Sequence, residues 1–135
     1  MVDATLIKKL GIKPKQRFII LNAPEGYSER IITLLPLDVE LVTTPTSADN
    51  YDVVLQFVRN KTEVEKDTPI AIEIVKPGGR LWLSYPKQSS KVPTDINRDI
   101  LWKIFPNSEW RPVTQISIDE IWSALRFRLK SEVGT

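Results

Sequence analysis

Short, uninterrupted apolar runs alternate along the chain with amphipathic stretches. Residues 4–10 place Leu6, Ile7 and Leu10 on one side and end at Gly11, a pattern that predicts a short helix with a glycine stop. Lys13-Pro14-Lys15 then leads into Phe18-Ile19-Ile20-Leu21. A continuous, β-branched run of this kind suits a central parallel strand covered on both faces. Asn22-Ala23-Pro24-Glu25-Gly26 reads as a turn, and Ile31, Ile32, Leu34 and Leu35 recur at helical spacing until Pro36 stops them. Val39-Glu40-Leu41-Val42 predicts a second strand, residues 43–50 a polar loop around Pro45, and Val53-Val54-Leu55-Gln56-Phe57-Val58 a third, buried strand.

Pro69 would break a long helix, so the next segment predicts a helix over 69–75 capped by Thr68, with a preceding helical turn from Thr62. Lys76-Pro77-Gly78-Gly79 is a sharp turn into a fourth strand, Arg80-Leu81-Trp82-Leu83-Ser84. After a polar loop over 85–93, Thr94 caps a helix with Ile96, Ile100, Leu101, Ile104 and Phe105 on one face, closed by Pro106. Residues 111–118 and 123–129 alternate as a hairpin, with Leu125, Phe127 and Leu129 on one side and Arg126, Arg128 and Lys130 on the other. Asp119 and Glu120 fall in its turn. Strands that alternate with helices and end in a hairpin predict an α/β domain over residues 1–135, with a doubly wound, mostly parallel sheet and one antiparallel strand near an edge.

Composition narrows the chemistry mainly by exclusion. The 135 residues are 41% hydrophobic and 27% charged, ordinary values for one soluble domain, and the formal charge of +2 is far from the concentrated positive field of a nucleic-acid binder. Nucleic acid is therefore not an expected partner. With no cysteine and no histidine, the chain cannot make thiolate or imidazole metal sites, disulfides, thiol nucleophiles or imidazole triads. No segment approaches the roughly 20 apolar residues of a membrane span, so no membrane association and a cytoplasmic location are the expectations.

Three segments carry a family resemblance. Residues 12–21, Tyr51-Asp52-Val53-Val54 and Ile74-Val75-Lys76-Pro77-Gly78-Gly79-Arg80-Leu81 resemble the first, fourth and fifth strand regions of class I methyltransferases, the Rossmann-like enzymes that use S-adenosylmethionine. More closely, Leu21-Asn22-Ala23-Pro24-Glu25-Gly26-Tyr27, Trp82-Leu83-Ser84-Tyr85-Pro86-Lys87 and Trp122-Ser123-Ala124-Leu125-Arg126-Phe127 are similar to a family of short bacterial methyltransferase-like proteins known only as a domain of unknown function. The resemblance implies a Rossmann-like sheet of about six strands, because only residues 43–50 stand where the third strand and its helix would be.

In that family a glycine-rich turn after the first strand admits the cofactor, and an acidic residue at the end of the second binds its ribose. Here the turn holds one glycine, Pro24 removes a backbone donor, Glu25 adds a charge, and Val42-Thr43-Thr44-Pro45 offers no carboxylate. These departures disfavour S-adenosylmethionine and predict a non-catalytic binding or regulatory module. An atypical S-adenosylmethionine-dependent methyltransferase is the alternative, with Glu25 or Asp119 as a base. Ligands of open parallel sheets collect beyond the carboxyl ends of the strands. There Asn22, Ala23, Pro24, Glu25, Gly26, Arg59, Lys87 and Lys91, with Lys61 beside them, would receive a small anionic ligand, aided by the N-terminus of the helix after Gly26.

Each of these residues also has a purely structural reading: Pro24 and Gly26 as turn formers, Glu25 as a charge favoured beside a helix start, and the lysines as loop surface. Trp82 reads as core, whereas Trp122 is either a buried anchor or an exposed contact. The uncovered edge of the hairpin would allow a homodimer.

Overall fold

The computed structural model describes residues 4–44, 50–107 and 109–132, and the part of the polar loop expected around Pro45 that covers 45–49 lies outside them. Among the described residues, besides short 3-10 turns, the α-helices and strands follow in the order α1 (Ala4–Leu10), β1 (Arg17–Leu21), α2 (Tyr27–Ile31), β2 (Glu40–Val42), β3 (Tyr51–Phe57), α3 (Lys61–Ile74), β4 (Val75–Pro86), α4 (Arg98–Ile104), β5 (Trp110–Ser117) and β6 (Trp122–Leu129). The strands form one sheet in the order β2-β1-β3-β4-β6-β5, parallel except for β6, which is antiparallel to β4 and β5. The fold is thus the expected doubly wound α/β sheet of six strands with a C-terminal hairpin. The chain proceeds from β1 outward to β2, then returns to place β3 on the other side of β1, so the winding reverses between β1 and β3.

Two apolar layers cover the sheet. On one face Leu6, Ile7 and Leu10 of α1 and Tyr27 and Ile31 of α2 meet Phe18, Ile20, Leu55, Phe57, Trp82 and Trp122. On the other, Val64, Ala71 and Ile74 of α3 and Leu101 of α4 meet Ile19, Val54, Leu81, Leu83, Leu125 and Phe127. Burial on both faces is why the central strands have no polar alternation. Trp82 is core, as its run predicts, and its indole N–H donates to the Leu10 carbonyl at 3.1 Å, tying α1 to β4.

The helix expected over 69–75 and the helical turn expected before it from Thr62 form one continuous helix. α3 is a single helix of 14 residues that starts at Lys61, with Asn60 accepting the Glu63 N–H at 2.9 Å, and it carries Pro69 inside. Buried Gln56 of β3 anchors the helix beside the proline: its side-chain amide donates to the Asp67 carbonyl and accepts from the Thr68 hydroxyl, both at 2.9 Å. The sheet thus holds the helix at the turn where the proline removes an internal donor. The fourth helix starts later than expected. Asn97, not Thr94, caps α4 by accepting the Ile100 N–H, while the Thr94 hydroxyl donates to the Arg59 carbonyl.

The Lys76-Pro77-Gly78-Gly79 turn is present, but as an irregularity within β4. Val75 pairs with Tyr51 and Arg80 with Val53, so four residues of β4 stand against one of β3. At the outer edge, Pro112 and a register shift before Thr114 interrupt β5, the usual means of discouraging further strand pairing. Among the described residues no helix is long and apolar enough to cross a membrane.

Asp52, at the amino end of the sheet, gives the fold a pH dependence. Partial burial works against its charged form, but the Arg17 backbone N–H at 2.9 Å and the Lys76 ammonium at 3.1 Å outweigh it and hold the carboxyl below its ordinary value. A lowered folded-state pKa contributes stability that is complete above the unfolded value and is lost as pH falls through the folded one. Urea denaturation at neutral pH and at about pH 3 should therefore show wild type losing its advantage over Asp52→Asn on acidification. An advantage that is the same at both pH values would contradict this assignment.

Candidate functional site

The reversal between β1 and β3 places the ends of Leu21 and Phe57 side by side at the carboxyl edge of the sheet. Immediately beyond, Asn22 turns the chain with a φ of 58°, a conformation that asparagine tolerates better than most residues, and Gly26 repeats the left-handed geometry at 78° before α2. Between this turn and the first two turns of α3 lies an open cleft of about 590 Å³, lined by Asn22, Ala23, Arg59, Glu63, Lys66 and Asp67, with Asn60 and Thr62 at its rim.

Arg59 is the best-held cation of the cleft. Its guanidinium is 3.5 Å from Glu63 and 3.4 Å from the Asn22 carbonyl, and it stands over the Trp122 ring at 5.7 Å. The Glu63 carboxylate also accepts the Arg59 backbone N–H at 2.9 Å. Across the cleft the Asn22 amide donates to the Asp67 carboxylate at 2.9 Å. The lining therefore presents two cations, Arg59 and Lys66, and two anions, Glu63 and Asp67. This mixed charge is more favourable to a zwitterion than to a simple anion.

Of the eight residues expected to bind, the structure brings Asn22, Ala23 and Arg59 into the cleft, while Pro24, Glu25 and Gly26 form the turn beside it, with Glu25 exposed. The helix start adds less than expected. α2 has only five residues, and its first N–H, from Tyr27, is taken by the Pro24 carbonyl at 3.1 Å. Lys87 is elsewhere, bonded to the Ser117 hydroxyl at 2.7 Å, and Lys91 lies outside the described depressions with a φ of 61°. Lys61 begins α3, and its backbone N–H donates to Asp95.

Sequence reasoning missed Glu63, Lys66 and Asp67. The signal was Asn60 followed by Glu63, the spacing of a capped helix start, which would have placed these three residues on turns facing the end of β1.

Beneath the cleft, on the α2 side, Tyr27 meets Phe57 edge-on at 5.1 Å and Phe57 meets Trp122 edge-on at 5.0 Å. Trp122 is thus a buried anchor. The Tyr27 hydroxyl is buried with no hydrogen-bond partner among the described residues. Burial pushes its pKa up, the Asp119 carboxylate adds to that rise, and Arg30 opposes it. Asp119 itself accepts the Ile121 and Trp122 N–H groups at 2.8 and 2.9 Å, so its carboxylate shapes the hairpin turn. Among the described residues no group of acidic side chains could hold a metal ion.

No protein-family model and no curated protein matches the chain. Solved structures do. An S-adenosylmethionine-dependent methyltransferase from Aquifex aeolicus superposes with a TM-score of 0.57 at 13% identity, over 93% of this chain and 89% of that one. A ribosomal protein L11 methylase from Lactobacillus delbrueckii subsp. bulgaricus does so with a TM-score of 0.56 at 11% identity, over 93% and 76%. A variant of LepI, solved in complex with SAH and a substrate analogue, matches with a TM-score of 0.55 at 13% identity, over 92% of this chain and 46% of its own. These likenesses correct the expectation that disfavoured S-adenosylmethionine. The altered turn leaves the crevice at the β1–β3 reversal open, in a fold whose similar structures include an S-adenosylmethionine-dependent methyltransferase and a protein solved with SAH. In fold the chain is a Rossmann-like, methyltransferase-like α/β domain with a mixed sheet of six strands.

Proposed function

We propose that this chain is an atypical S-adenosylmethionine-dependent methyltransferase whose cofactor crevice is the cleft beyond β1 and β3. The observation that carries the reading is the mixed charge of that cleft at the topological switch point: Arg59 and Lys66 are opposed by Glu63 and Asp67 around about 590 Å³ of open space. S-adenosylmethionine joins a carboxylate to an ammonium and a sulfonium, and the two pairs of side chains complement those charges. When bound, it supplies an activated methyl group, and positioning does most of the remaining work.

Among the chain's own residues, Arg59 and Lys66 would hold the carboxylate, and Glu63 and Asp67 the positive groups. At Asn22 the asparagine itself adopts the left-handed conformation for which a glycine would otherwise be used. Pro24 contributes no donor, and no carboxylate follows β2 at Thr43 or Thr44, so affinity rests on α3 more than on the two loops that usually dominate.

Isothermal titration calorimetry of the chain with S-adenosylmethionine and S-adenosylhomocysteine tests the reading. Saturable binding with a dissociation constant of order micromolar is expected, together with slower amide exchange over residues 22–26. No heat and no protection at millimolar concentrations of either compound would overturn it.

A further inference from the structure

We propose a second binding site, for a small hydroxylated anion such as a sugar phosphate or a sugar acid, in the open depression of about 470 Å³ over the carboxyl end of β4. It lies on the α3–α4 face of the sheet. The segment that leads into α4 separates it from the first cleft, with Thr94 bonded to the Arg59 carbonyl and Asp95 to the Lys61 N–H.

Its floor is polar where the rest of that face is apolar. Tyr85 and Ser123 are cross-strand partners of β4 and β6, only 4% and 7% exposed, and both line the depression. Neither hydroxyl has a hydrogen-bond partner among the described residues. Both face an open depression, so each keeps a donor and an acceptor that a ligand can take over from solvent. Two such groups side by side at the base of a depression are placed to bond an incoming ligand.

The walls select its charge and shape. Lys87 and Arg98 are the cations and Asp99 the single carboxylate of the lining, so one positive charge is left in excess. Arg98 makes no ion pair among the described residues and has its planar donors available for a phosphate or carboxylate. Asp99, Gln115 and the two hydroxyls supply the acceptors and donors that a row of ligand hydroxyl groups requires. A largely apolar ligand would leave every one of these groups unpaired.

Amide chemical shifts of the full chain, followed during titration with glucose 6-phosphate, gluconate and glucose, test the proposal. Saturable shifts centred on Gln88, Arg98, Gln115 and Ser123 are expected, with one or both anions at least roughly tenfold tighter than glucose, and the tighter anion distinguishes phosphate from carboxylate. Arg98→Gln should remove that preference and Arg98→Lys should retain most of it. Absence of saturable shifts with all three probes, an equal response to glucose, or shifts confined to residues 22–26 and 59–67 would each overturn it. The outcome is separable from cofactor binding, which reports on the other set of residues.

Discussion

Replacing Trp122 by alanine should lower the unfolding free energy by about 3–5 kcal/mol, the usual cost of removing a buried aromatic ring, and the melting temperature by roughly 10–20 °C for a domain of this size. The ring is only 7% exposed and stands edge-on to Phe57, which in turn stands edge-on to Tyr27. Its loss opens a void that neither neighbour can fill without leaving its own strand or helix. The consequence reaches the cleft, because the Arg59 guanidinium rests 5.7 Å above the same ring and would lose that support. Trp122→Phe keeps an aromatic face toward both neighbours and should lose less than half as much. Urea denaturation of the two variants is the measurement, and a loss below about 1.5 kcal/mol for alanine would remove Trp122 from the core.

The order of elements was legible because burial on both faces leaves a strong trace. Runs such as Phe18-Ile19-Ile20-Leu21 and Val53-Val54-Leu55 have no soluble alternative to a covered central strand. The short helix before Gly11 and the hairpin after Trp110 were legible for a related reason, since in each the periodicity coincides with a stop or a turn signal.

Long-range contacts were not legible. Pro69 argues locally for a helix start, whereas α3 runs through it, held to β3 at that turn by the pairing of Gln56 with Asp67 and Thr68, eleven and twelve residues away. Gly79 is a second case. A β-carbon there would come within 2.9 Å of the Lys76 carbonyl oxygen and 3.0 Å of that of Asp52, so the glycine is required by a close approach to β3 as well as by the turn visible in the sequence.

The candidate site divides in the same way. The turn from Asn22 to Gly26 was legible from its residue types, and its position at the carboxyl edge from the alternation of strands and helices. Which charges face it was not, because that depends on where α3 starts. A lone helical turn from Thr62, broken before a second helix at Pro69, does not fix which way Glu63, Lys66 and Asp67 face, and the cleft would then look basic. With α3 beginning at Lys61 its charge is balanced, and the departures of the turn from the family pattern no longer decide the question of the cofactor alone.

Asp67→Asn is therefore expected to weaken S-adenosylmethionine binding by about 10- to 100-fold while leaving stability within about 0.5 kcal/mol of wild type. The substitution is nearly isosteric. The new side chain can still accept from the Asn22 amide through its oxygen, so the wall of the cleft and the Asn22 turn should keep their shape. What changes is the charge. Without the Asp67 carboxylate the lining shifts from balanced to net positive, and the cationic half of the ligand loses its nearer counter-charge, since Glu63 is already engaged by the Arg59 guanidinium at 3.5 Å and by the Arg59 backbone N–H at 2.9 Å. S-adenosylhomocysteine, which lacks the sulfonium charge, should lose less affinity than S-adenosylmethionine, and this difference between two ligands of nearly the same shape isolates electrostatics from any change in the cleft. Calorimetry of both ligands with wild type and variant gives the four affinities required. An equal loss for both would mean that Asp67 does not face the sulfonium, and no loss for either would place the charged groups of the ligand outside this cleft.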